Sequence, residues 1–133
     1  MSHHRPAEPT LVDRLLRVAA VAIALAIVAL SLRAQAGETG IKASDNVLHG
    51  TAYFALTLAV LLAWIGRPGR PARSFYTAVS TTLVIFVGGL AVEVLQSLVG
   101  RETVVVEVLA NGLGAGLALG LWTVMMRRDL LRS

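Results

Sequence analysis

The chain has 133 residues, a mean hydropathy of +0.72 and 56% hydrophobic side chains, above the roughly 45 to 50% of a soluble domain, which predicts one small membrane domain over residues 1–133. Cysteine is absent, so disulfides, thiolate metal sites and cysteine nucleophiles are excluded. The net charge of +4 and pI near 10.7 would suit nucleic acid, but the arginines cluster at the ends of apolar runs and aromatics are sparse, so no nucleic-acid partner is expected.

The first apolar run, Val18 to Leu32, is extended amphipathically by Leu11 to Leu16 and bracketed by Arg17 and Arg33, predicting a helix over about 12–33. Its strictly apolar part is short for the roughly 20 residues that cross a bilayer, a deficit that snorkelling arginines offset. A second reading makes it a secretory signal, with Arg14 and Arg17 as its basic start and Ala34-Gln35-Ala36 as the cleavage site, although Arg33 sits where such sites are normally uncharged. Both readings stay open here.

The second run covers about 46–65, the third about 75–99 and the fourth about 104–126, each long enough for about 30 Å of hydrocarbon. Between the second and third stands RPGRPAR, Arg67 to Arg73, a Pro/Gly break. The expected fold is all-α: a compact bundle of four transmembrane helices. Basic residues in the N-terminal tail (Arg5, Arg14, Arg17), in the Arg67–Arg73 loop and at the C-terminus (Arg127, Arg128, Arg132) outnumber Arg33, Lys42 and Arg101 on the other side. By the positive-inside rule both termini are then cytoplasmic.

Polar residues recur in the half of the bundle away from those arginines. Asp45, His49 and Tyr53 are spaced i, i+4, i+8 on helix 2; Glu93 and Gln96 share a face of helix 3, and Glu107 and Asn111 a face of helix 4. At 1.5 Å per residue, Tyr53, Glu93 and Asn111 each lie roughly 10 to 12 Å below the outer helix ends, so one pocket could hold them all. A charge at a helix centre costs about 2.5 to 3.5 kcal/mol on the insertion scale, which requires Glu93 to face a partner or water and therefore the interior. Gly89 lies one turn from Glu93, and Gly112, Gly116 and Gly120 form a small-residue ladder for close helix packing. His49 and Glu93 are the candidates for proton transfer, with Asp45, Tyr53, Gln96, Arg101, Glu107 and Asn111 as binding residues. No HExxH or comparable spacing occurs, so neither metal nor cofactor is expected.

At these residues, SDNVLHGTAYF from Ser44 to Phe54 and EVLQSLVGRETVVVEVLANGLGAGLALG from Glu93 to Gly120, the sequence resembles the VanZ-like family of small bacterial membrane proteins. Asp45, His49, Tyr53, Glu93, Gln96, Arg101, Asn111 and Gly114 fall in the family's order and spacing over roughly the last two thirds of the chain. Asn46 stands where the family usually has Lys, and Glu107 where it has Asp. The resemblance implies a multi-pass protein of the bacterial cytoplasmic membrane and an accessory role in the cell envelope and antibiotic resistance. The resemblance supplies no reaction.

Three functions follow as expectations. The outer pocket binds or modifies an anionic lipid, such as an isoprenoid-phosphate or phospholipid head group, with Arg101 on phosphate; or the polar cluster only fixes helix packing in an accessory protein; or Glu93 and Asn111 belong to a proton or ion pathway. Association into a homo-oligomer through the glycine ladder stays open.

Overall fold

In the computed structural model, residues 9–33, 42–70, 72–98 and 105–131 are described, with backbone alone at 32, 33 and 42–45. Among the described residues the chain is four long helices: α1 (Leu11–Arg33), α2 (Lys42–Val60, continued by a π-helical turn Leu61–Ile65), α3 (Phe75–Leu98) and α4 (Val105–Leu130). All four contain a stretch apolar and long enough to cross a bilayer. The four-helix expectation holds, with α2 starting one turn earlier and α4 ending one turn later than hydropathy alone placed them.

Helix starts are set by side chains. Thr10 and Asp13 form a reciprocal cap at α1: the Asp13 backbone N–H donates to Thr10 Oγ1 at 3.3 Å, and the Thr10 N–H donates to Asp13 Oδ2 at 2.8 Å. At α3, Ser74 Oγ accepts the Thr77 N–H at 3.3 Å.

Burial runs opposite to that of a water-soluble bundle. Asp13, Glu93, Gln96, Glu107 and Asn111 are buried, while Leu83, Val84, Leu95, Leu98, Leu109, Leu113 and Leu117 are exposed. Hydrocarbon accepts that outer surface without cost, and only the interior offers the polar groups partners. The chain is therefore a multi-pass membrane protein.

At the arginine-rich end, loop and helix termini are tied together. Asp13 receives Arg67 Nε and Arg70 Nη1, each at 3.0 Å. The turn itself is closed by Arg70 N–H to Arg67 C=O at 3.0 Å, with Pro68 leading and Gly69 at φ +78°, as a type II turn requires. Asp129 of α4 accepts the Gly69 N–H at 2.8 Å, and Trp122 Nε1 donates to the Gly66 carbonyl at 2.7 Å. Trp122 is buried at 3% exposure in the apolar core with Leu61, Ile65, Ala78 and Met126. Trp64 does face outward, with the Arg17 guanidinium 5.7 Å from its ring centre.

Candidate functional site

The opposite end carries the buried polar groups. On α2 the inward row is His49, Tyr53 and Thr57, four residues apart; on α3 it is Gly89, Glu93 and Gln96; on α4 it is Glu107, Asn111 and Gly114. These rows meet because the backbones of α2 and α4 come close. A Cβ at Gly114 would run into the Gly50 carbonyl and lie 3.0 Å from the Phe54 nitrogen, and one at Gly50 would sit 3.3 Å from the Ala110 carbonyl oxygen.

That approach sets His49 beside the carboxylates. His49 Nδ1 lies 3.9 Å from Glu93 Oε1, beyond hydrogen-bond length but at ion-pair range. One ligand atom from each of His49, Glu93 and Glu107 lies within 4.8 Å of the other two. Tyr53 closes the floor: its hydroxyl would be 2.6 Å from a Cβ on Gly89, so the missing side chain there leaves room for the phenol one turn from Glu93.

Several acceptors on these rows are unpartnered. His49 Nδ1, Asn111 Oδ1, Gln96 Oε1 and Thr57 Oγ1 are buried without a hydrogen-bond partner among the described residues. Two carboxylates, an imidazole nitrogen and a neighbouring amide oxygen form a set suited to holding a shared proton or a cation. Gln96 turns its amide nitrogen elsewhere, donating to the Ser31 carbonyl of α1 at 2.8 Å.

Of the residues singled out in the sequence, His49, Tyr53, Glu93, Glu107 and Asn111 lie on buried or half-buried faces of this end, and Gln96 lies between α3 and α1. Arg101 falls outside the described residues, and at Asp45 only the helical backbone is described. The glycines divide. Gly112 faces the Phe86 ring, where a Cβ would lie at 3.1 Å, whereas Gly116 and Gly120 have nothing within 4 Å of a Cβ. The close approach expected of the ladder is made at Gly114.

Thr57 and Ser31 were missed, although Thr57 continues the four-residue row of His49 and Tyr53. No motif announced the trio of His49, Glu93 and Glu107 as one ligand set, because its members come from three helices and share no local spacing. Thr81 and Thr82, the polar residues that would continue a route toward the other end, donate their hydroxyls to Thr77 and Ala78 carbonyls at 2.8 and 2.9 Å within α3.

No protein-family model, no curated protein and no solved structure matches the chain.

Proposed function

We propose that this chain is a multi-pass protein of the bacterial cytoplasmic membrane, of the VanZ-like type and with both termini cytoplasmic, whose buried pocket binds an anionic lipid or lipid-linked envelope precursor. An accessory role in antibiotic resistance belongs to the same reading. The observation that supports it is the meeting of His49, Glu93 and Glu107 within 4.8 Å. In such surroundings an imidazole and a carboxylate 3.9 Å apart can pass a proton to and from a bound hydroxyl or phosphate. Two carboxylates repel a phosphate, so the reading requires a positive group as well, and we assign that role to Arg101.

The test is native mass spectrometry of the detergent-purified protein. The wild type is expected to carry a co-purified lipid phosphate, Arg101→Gln to lose it, and Glu93→Gln to retain it while losing envelope function. Unchanged lipid retention in Arg101→Gln would count against the binding site.

A second reading is that the polar groups only pin the helices, which the Gln96 to Ser31 hydrogen bond favours. It predicts that His49→Ala and Glu93→Gln lower thermal stability in detergent yet spare any phenotype at matched protein level. A proton or ion pathway ranks behind both, since Leu61, Ile65, Ala78, Trp122 and Met126 form an apolar plug beyond the site.

A further inference from the structure

The arginine-rich end holds a cavity of about 360 Å³ between the start of α3 and the end of α4. Its walls are apolar through Phe75, Trp122 and Met126, and its lining includes the guanidinium-bearing Arg70, Arg73 and Arg127. Arg70 shares Asp13 with Arg67, each at 3.0 Å. Among the described residues, Arg73 and Arg127 have neither an ion pair nor a side-chain hydrogen bond, and both are exposed.

Asp129 also lines the cavity, with one carboxylate oxygen on the Gly69 N–H. Three lining arginines against Asp129 and the Asp13 carboxylate that Arg70 shares with Arg67 leave a net positive charge facing a mostly apolar hollow. That excess suits a phosphodiester with an acyl chain attached, and it disfavours a head group that carries its own cation. The cavity also sits at the right level: it lies where two membrane-crossing helices have their ends, at outward-facing Phe75 and its neighbour Tyr76, aromatic types that settle at the head-group layer. Trp122 is held by its bond to Gly66, so the inner wall is fixed before any ligand arrives.

The geometry points to a binding site here for the head group and upper chain of an anionic phospholipid, with Arg73 and Arg127 as its phosphate contacts. This site lies at the opposite end of the bundle from the His49 cluster and stands independently of what that cluster does. It differs from a general attraction of basic loops to anionic membranes in one respect: Arg128, adjacent in sequence and equally charged, does not line the cavity.

The test is native mass spectrometry of delipidated protein given equimolar phosphatidylglycerol and phosphatidylcholine of matched chains. Wild type is expected to retain phosphatidylglycerol selectively. The double variant Arg73→Gln/Arg127→Gln should lower its affinity about thirtyfold, as loss of two near-surface arginine contacts implies, while Arg128→Gln changes it less than about twofold. Replacing the same pair by Lys keeps the charge and should keep most of the lipid, which separates lost contacts from lost packing. Equal retention of the two lipids overturns the proposal. So does a loss in Arg128→Gln as large as in the double variant, or complete displacement of the lipid by millimolar inorganic phosphate, which would make it a free-anion site.

Discussion

Gly114 of α4 lies so close to Gly50 of α2 that no side-chain carbon fits between the two backbones. This contact brings the α4 row of Glu107 and Asn111 up against the α2 row of His49 and Tyr53, so the site depends on a place where nothing protrudes.

Gly114→Ala is therefore expected to cost about 1 to 3 kcal/mol by overpacking, since backbone rather than a movable side chain blocks the methyl. Gly116→Ala and Gly120→Ala meet open space and should be neutral or stabilising by up to about 0.8 to 1 kcal/mol through helix propensity. Reversible unfolding in mixed detergent micelles measures all three. Equal losses at the three positions would show that the ladder, rather than Gly114, makes the contact.

Asp13 joins three partners: the α1 cap at Thr10, Arg67 and Arg70. Asp13→Ala should lower the melting temperature more than Arg67→Ala or Arg70→Ala alone, because either arginine loss leaves the cap and one ion pair in place. A ranking with Asp13→Ala mildest would remove the loop anchor from this account.

Trp122→Phe keeps most of the ring's packing but leaves the Gly66 carbonyl without its indole donor. The expected loss is about 1 kcal/mol, that of a typical hydrogen bond, whereas Trp122→Ala should cost about 3 to 5 kcal/mol through the cavity it opens. If the Phe variant is as unstable as the Ala variant, the hydrogen bond matters far more than the packing.

α1 is joined to the rest by Gln96 to Ser31 at one end, and by Asp13 to Arg67 and Arg17 over Trp64 at the other. Its retention in the mature protein is expected, and intact mass of the purified chain checks this against cleavage after Ala36. Gln96→Leu should weaken the bundle by about 0.6 kcal/mol, the mean for an interhelical bond in a membrane.

Four helices were legible because hydropathy reads the solvent, and in lipid the outward surface is as apolar as the stretch is long. Glu93 could be placed inside from its insertion cost alone, and the four-residue spacing of His49 and Tyr53 gave their common face. What escaped were relations that local spacing does not encode. Arg67 and Asp13 are 54 positions apart, and the positive-inside rule counts arginines without saying which carboxylate will hold them. The GxxxGxxxG pattern marked α4 as able to pack closely but not how the helix is rotated, and the actual contact fell at Gly114, off the ladder. The Thr10–Asp13 cap was readable as T-x-x-D, yet it lies before the apolar run that drew the helix start.

The wide turn at Leu61–Ile65 has a consequence for how the two ends of the molecule relate. His49, Tyr53, Thr57, Leu61 and Ile65 all face inward, but a four-residue step in an α-helix overshoots a full turn by about 40°, so an unbroken helix would carry the last of them away from the first. The π turn winds back part of that excess. It acts as a phase corrector, letting one rod present chemistry at one end and a mechanical seam at the other. A one-residue deletion inside it would leave His49 where it is and swing the Arg67 hairpin around the rod, uncoupling the two ends without touching either.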